Sequence, residues 1–281
     1  MKKKSLIIKI LGVFFFKSKG SVLNNYNSLI SPTEIKLRNS SSIKIDQLIS
    51  VLAPWKYKGE IDRYGGTGDG SYIIPTDIVN KKSFLVSGGL GNNNNFEIQL
   101  ARLGIKGFQI DNSINKPPKN HANLNFISKT LGALDGEGNI SLMNLINNAP
   151  INKVVIVKLD IEGGEIEALR NLPKNILQKI TCLSMELHSI SSLHNNTKIL
   201  EMLNHLKLSG FRSIYLQANN GCLTYTMSGY LIPDNMEVTF VKKNRVTKPT
   251  PKEIHRIKML QSKNNTDSPL VNIDHFLFHN V

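Results

Sequence analysis

The 281-residue sequence predicts an α/β fold built on a doubly wound, Rossmann-like sheet. Three observations predict it. Residues 83–113, SFLVSGGLGNNNNFEIQLARLGIKGFQIDNS, read as a strand, a glycine turn, a helix and a second strand ending in Asp111, which is half of a nucleotide-binding βαβ unit. Residues 154–159 are an apolar run broken only by Lys158, the composition of a strand covered on both faces. Residues 180–188 form a further strand, on which Cys182, Ser184, Glu186 and His188 share one face.

The glycine turn carries the first chemistry. Gly88, Gly89 and Gly91 let the backbone approach a ligand where a Cβ would clash, and the helix predicted over 95–103 offers free N–H groups beside them. Asp111, closing the strand 107–110, is placed to accept the two hydroxyls of a ribose. The spacing departs from a dinucleotide fingerprint, because Asn94 stands three residues after Gly91 and no glycine follows before Gly104. A phosphate-free adenosine carrier such as S-adenosylmethionine needs the turn and the acid but no phosphate cradle, so pyrophosphate is the weaker expectation. Asparagines 92–95 read either as helix caps or as compositional bias.

Composition bounds the rest. Hydrophobic content of 40% and charged content of 20% are those of a globular chain, long enough for one α/β domain with extensions. Cys182 and Cys222 make no C-x-x-C and no metal-like spacing, which points to a reduced, cytoplasmic setting; Cys182, inside a strand, reads as core. A net charge of +14 favours anionic partners, but the excess sits at residues 2–19 and 242–263 rather than in a stripe interleaved with aromatics, so nucleic acid is not the expected partner.

In chain order, the start MKKKSLIIKILGVFFFKSKG has a basic head, but Lys9 interrupts the apolar run and no cleavage site follows. As a helix it would be basic and apolar on one side, suited to peripheral contact with an anionic membrane or to packing on the domain. A helix is expected over 40–52 from Ile43, Leu48, Ile49 and Leu52, ended by Pro54. The glycine-dense segment 63–75 carries Asp69 and leads to a short strand at Tyr72, Ile73 and Ile74; it is placed to close over a ligand or to be a plain loop. Residues 123–128 give a third strand, 140–146 a short helix capped by Ser141, and 197–208 a helix stopped by Gly210. Strands follow at 212–216 and 236–243, and then a basic helix and tail.

The second dense stretch is KVVIVKLDIEGGEIEALRNLP, residues 153–173. Asp160 ends its strand, and Asp160, Glu162 and Glu165 crowd one loop and helix start, while Gly163 and Gly164 permit close approach of a substrate. Glu186 and His188 leave the neighbouring strand tip, from which both can reach the same cleft.

Together these stretches resemble the FkbM-type family of S-adenosylmethionine-dependent methyltransferases. The resemblance rests on Arg63 with Asp69, Gly70 and Tyr72; the glycine turn with Phe96 and Glu97; Asp111; K-x-D-I-E-G-x-E over 158–165; E-x-H over 186–188; Asn219 and Asn220; and I-P-D-x-x-E-V-T-F-V over 232–241. The chain differs in reading DGSY and in carrying Gln217 ahead of the asparagine pair. The resemblance implies a seven-stranded sheet with its last strand antiparallel, and methyl transfer to an oxygen of a sugar, a glycan or another small polar acceptor. It places Gly88, Gly89, Gly91, Asp111, Asp160, Asp69 and Tyr72 at the cofactor. His188 becomes the general base, oriented by Glu186, with Glu165 and Glu162 as the further catalytic candidates. Asp160, Glu162 and Glu165 with Glu186 would also suit a divalent cation, but displacement at a sulfonium needs no Lewis acid, and no metal is assigned.

On this reading residues 1–55 are a basic, helical extension, 56–245 the methyltransferase domain and 246–281 a C-terminal extension. A nucleotide-sugar or NAD-dependent oxidoreductase would want a Tyr-x-x-x-Lys pair or a dinucleotide glycine helix, which the sequence lacks. A catalytically silent scaffold on the same fold is the other alternative.

Overall fold

The computed structural model describes residues 41–194 and 196–281, with the backbone of the strands Ile8–Ile10, Val13–Phe15 and Ile35–Arg38. Its centre is a seven-stranded sheet of β1 (Ser83–Gly88), β2 (Lys106–Ile110), β3 (Leu124–Ile127), β4 (Val154–Leu159), β5 (Ile180–Leu187), β6 (Phe211–Ala218) and β7 (Met236–Lys242). The strand order is β6-β7-β5-β4-β1-β2-β3, and β7 alone runs antiparallel to its neighbours in this sheet. This is the sheet the sequence predicts. The order reverses between β1 and β4, the switch point outside whose carboxyl ends a doubly wound sheet binds its ligand.

Period-two alternation feeds a core on each face of the sheet. Val86, Val157, Leu183 and Met185 point into one, shared with helices α1 (Ser42–Leu52), α3 (Leu142–Asn147), α4 (Gly164–Arg170), α5 (Lys174–Lys179) and α6 (Lys198–Leu208). Leu85, Ile156, Cys182, Ile214 and Val241 point into the other, covered by α2 (Asn95–Arg102) and by the hairpin of Ile61–Tyr64 with Tyr72–Pro75. Cys182 is core as expected, and both cysteines are free.

Several elements differ from expectation. In α1 the buried face is Ile45, Leu48, Ile49, Val51 and Leu52, whereas Ile43 is 66% exposed, because it lies two residues, about 200° of helix, from Ile45. The strand expected at Tyr72, Ile73 and Ile74 is present, and it pairs with Ile61–Tyr64, so that the glycine-dense segment is the connection of a hairpin. Ser141 does cap α3, its Oγ accepting from the Asn144 N–H at 3.0 Å, but Ile140 belongs to a strand, Asn139–Ser141, paired parallel with Thr130–Gly132. Ile8–Ile10 and Val13–Phe15 pair as an antiparallel hairpin instead of a helix, as β-branched and aromatic residues favour. The rest of the expected membrane-docking segment 1–20 lies outside the described residues. No helix among the described residues is long and apolar enough to cross a membrane.

The C-terminal residues are tied into the same body. Val246–Thr247 pairs with Lys56–Tyr57, and α7 (Pro251–Met259) and α8 (Asp274–Leu277) bury Ile254, Ile257, Phe276 and Leu277 in the core that holds α1. Between α7 and α8 the chain crosses the carboxyl edge of the sheet. There Leu260 O accepts from Arg63 (2.7 Å), the Ser262 N–H donates to Gln217 Oε1 (2.7 Å), and Asn220 exchanges hydrogen bonds with Asn265.

Candidate active site

The glycine turn sits on the tip of β4. Gly89 has φ +78°, and a Cβ on it would stand 1.6 Å from the carbonyl oxygen of Asp160, so only glycine lets the two strand tips touch. Gly88 packs on Leu131, where a Cβ would come within 2.4 Å. Gly91 (φ +50°) is exposed, and a Cβ there would meet nothing within 4 Å; it borders open space. The asparagine run is used structurally. Asn93 donates to the carbonyl of Asp69, Asn94 exchanges hydrogen bonds with the Lys119 backbone, and Asn95 accepts from the Lys119 ammonium.

Asp111 stands at the end of β2, as predicted, with its acceptor positions filled. Oδ2 accepts from the N–H groups of Leu90 (2.7 Å) and Gly91 (2.9 Å), and Oδ1 accepts from the Ser113 N–H (2.8 Å) and hydroxyl (2.6 Å). Burial opposes its charge, but the Ser113 hydroxyl and these amides outweigh burial and hold the carboxyl below its ordinary value. In this state the acid organises the turn.

On the other side of Gly89 the side chains from β4 and β5 meet. The Lys158 ammonium hydrogen-bonds the carbonyl of Gly89 and lies 3.9 Å from Glu97 and 3.8 Å from Asp160, while Glu97 accepts from the Ser87 hydroxyl at 2.5 Å. Tyr72 donates its phenol to Asp160 Oδ2 at 2.6 Å; burial first, then the Asp160 charge, pushes that phenol well above its ordinary value. Asp69 is exposed and its carboxylate lies 3.5 Å from Asn264, so it borders the cleft without joining this cluster.

His188 is the hub. Its Nδ1 is hydrogen-bonded to Glu165, which is 0% exposed, and its Nε2 lies 3.7 Å from Asp160, 3.6 Å from Glu162 and 3.9 Å from Glu186. The orienting carboxylate is therefore Glu165 and not Glu186, because α4 brings Glu165 up beneath the ring. Burial lowers the affinity of the ring for a proton, but the Glu165 hydrogen bond and the charges of Glu165, Glu186 and Asp160 outweigh it and raise the pKa to about 9. That value favours the imidazolium over the neutral base the sequence predicts at pH 7. Glu162 (φ +54°) and Ser189 (φ +57°) both take the left-handed conformation directly after these strand tips, a cost that functional loops commonly carry.

Glu186 Oε1 accepts from Asn219 (2.8 Å) and Asn235 (3.1 Å), and burial raises its pKa. Glu237 faces Glu186 in the β5–β7 register, and burial pushes it up to about 8; Asn264 holds one of its oxygens. Among the described residues, Glu165 Oε2 and Glu237 Oε2 are buried without a hydrogen-bond partner. The structure thus gathers Asp160, Glu162, Glu165, Glu186, His188 and Tyr72, beside Gly88 and Gly89. Sequence reasoning quoted Glu237 within the I-P-D-x-x-E stretch without assigning it to the site, and missed Asn235 and Asn264. The antiparallel register of β7 would have found Glu237, since a carboxylate opposite Glu186 must share its face; Asn264 lies in a tail with no periodic signal.

No curated protein sequence matches the chain. Solved structures similar to the chain in part include the following two. A protein assigned as an rRNA-methylase, from Clostridium thermocellum, aligns with TM-score 0.37 at 13% identity over 59% of this chain and 91% of its own. A protein assigned as an S-adenosylmethionine-dependent methyltransferase, from Listeria monocytogenes, aligns with TM-score 0.36 at 11% identity over 60% and 92%. Asp160, Glu162, Glu165, Glu186 and His188 all lie within residues 134–213, and that stretch matches the family model of the methyltransferase FkbM domain.

Proposed function

We propose that the chain is an S-adenosylmethionine-dependent methyltransferase acting on an oxygen of a sugar, a glycan or another small polar acceptor. The observation that carries this reading is the contact of Gly89 with Asp160, which sets an open glycine turn against an acidic cleft at the switch point of the sheet. The residues fit the cofactor. The space over Gly91 is room that a Cβ would fill, and the carboxylates around Asp160 suit a ligand bearing a sulfonium and an ammonium. S-adenosylmethionine, when bound, supplies a methyl group for in-line displacement, so the protein needs mainly to align an acceptor and receive its proton.

Gly88, Gly89 and Gly91 would hold the cofactor with Asp111, which must exchange one of its present donors to take a ribose hydroxyl. Asp160, steadied by Tyr72, would hold the methionine end of the cofactor or the edge of the acceptor. The raised pKa of His188 favours its charged form, so the carboxylate placed to take the acceptor proton is Glu162, 88% exposed at its side chain and 3.6 Å from Nε2. Asp69 and the 65–70 connection border the same opening. The saturation of Asp111 favours a second reading, a methyltransferase-like binding module without turnover.

Calorimetry on the full chain tests the reading. Binding of S-adenosylmethionine but not NAD supports it, binding of NAD replaces it with an oxidoreductase, and binding of neither leaves the module. Transfer of labelled methyl from S-adenosylmethionine to a panel of glycans and small alcohols then separates enzyme from module.

A further inference from the structure

We propose that Asp160, Glu186 and His188 form a binding site for a divalent cation of the manganese-to-zinc class at the carboxyl tip of the sheet. One oxygen of each carboxylate and one ring nitrogen lie within 4.8 Å of one another. Nε2 stands 3.7 Å from Asp160 Oδ1 and 3.9 Å from Glu186 Oε2. Ligands held about 2.1 Å from a shared ion stand about 3.0 to 3.4 Å apart, so the two separations from Nε2 exceed that range by roughly half an ångström, and the carboxylate oxygens, within 4.8 Å, must draw in with them.

Each ligand is already held on its far side by a different group. Tyr72 donates to the other oxygen of Asp160, Asn219 and Asn235 donate to the other oxygen of Glu186, and Glu165 holds Nδ1 of His188. A carboxylate behind the histidine fixes the ring and its tautomer, the usual support of a metal-bound imidazole. What remains is one ligand atom per residue, Oδ1, Oε2 and Nε2, the last once the imidazolium has given up its Nε2 proton to solvent on binding the cation.

A further buried carboxyl beside Glu186 is in keeping with a cation there. Glu237 is 4% exposed, faces Glu186 in register, and has a buried carboxyl oxygen with no partner among the described residues. Buried acids gathered in this way either keep a proton, as burial drives Glu237 to do, or give it up beside a metal. Two carboxylate oxygens with one imidazole nitrogen form a set softer than the all-oxygen sites of magnesium and calcium, and harder than a thiolate site. The outer side is bounded by the exposed Glu162, which leaves coordination positions for water or for an acceptor oxygen.

The site is tested with Mn2+ alone, on chelator-treated full chain without any methyl donor, following free Mn2+ by electron paramagnetic resonance. The expected result is one Mn2+ per chain, competed by Zn2+, with affinity at least tenfold weaker in Asp160→Asn and in Glu186→Gln. Glu165→Gln should weaken binding about tenfold while keeping the stoichiometry. Should the variants fail to fold, the wild-type protein still decides, because bound Mn2+ must show electron–nuclear coupling to an imidazole nitrogen. No binding, binding without that coupling, or binding unchanged in folded Asp160→Asn and Glu186→Gln overturns the site. Because no cofactor enters the assay, its failure is separate from failure to bind S-adenosylmethionine.

Discussion

Glu165 stands directly behind His188: a fully buried carboxylate holds one ring nitrogen while the other opens to the cleft. Breaking such a pair from one side leaves the other charge buried and alone. His188→Ala is expected to cost about 3 to 5 kcal/mol of stability in urea denaturation. Adding Glu165→Gln to that variant should recover part of the loss, since the stranded carboxylate is gone. Losses that simply add would show that the two residues are not energetically coupled.

The two ends of the glycine turn should respond oppositely to alanine. Gly89→Ala drives a Cβ into the Asp160 carbonyl and is expected to lower stability by about 3 kcal/mol or more. Gly91→Ala meets no atom, so it should cost only about 1 to 2 kcal/mol for the left-handed backbone, yet it should weaken S-adenosylmethionine binding more than tenfold. Thermal melts paired with calorimetry check both, and wild-type affinity in Gly91→Ala would remove the cofactor from that space.

Asp111→Ala is expected to weaken cofactor binding more than tenfold and to speed hydrogen exchange at the Leu90, Gly91 and Ser113 amides, whose acceptor it removes. Ser113→Ala separates turn from ribose. It frees one acceptor position on Asp111, so affinity should hold or rise if the carboxylate reaches a ribose hydroxyl, and a fall would assign Asp111 to the turn alone.

His275 gives the fold an acid-sensitive point. Burial lowers its imidazole from 6.5 to about 4. Between those values the unfolded chain binds more protons than the folded one, so the stability contribution is complete above pH 6.5 and is lost as pH falls toward 4. The slope is up to about 1.4 kcal/mol per pH unit. Urea titrations at pH 7, 6, 5 and 4 should show His275→Leu losing less stability than wild type over that span; parallel curves would refute the assignment.

The fold was legible because its signals are local. An apolar run around Lys158, the glycine turn and the alternation from Cys182 to His188 each fix a strand without reference to any distant residue. The strand tips were legible for the same reason, since an acid ending a central strand has one place to go. Which carboxylate holds His188 was not: Glu186 is two residues away in sequence, but Glu165 reaches the ring only after α4 has packed against the sheet. Ile43 misled because a weak helical pattern does not choose between two adjacent faces, and Asn264 gave no signal, its partner Glu237 depending on the folded path of the C-terminal tail.

The crossing of the sheet edge by residues 260–268 sets an order of assembly in time. A nascent chain that has completed all seven strands still lacks the carbonyl that receives Arg63, the amide that fixes Gln217 and the side chain that holds Glu237. Ribosomal synthesis therefore delivers the sheet before the segment that crosses its edge, and the cleft acquires its final shape only after that segment has cleared the exit tunnel.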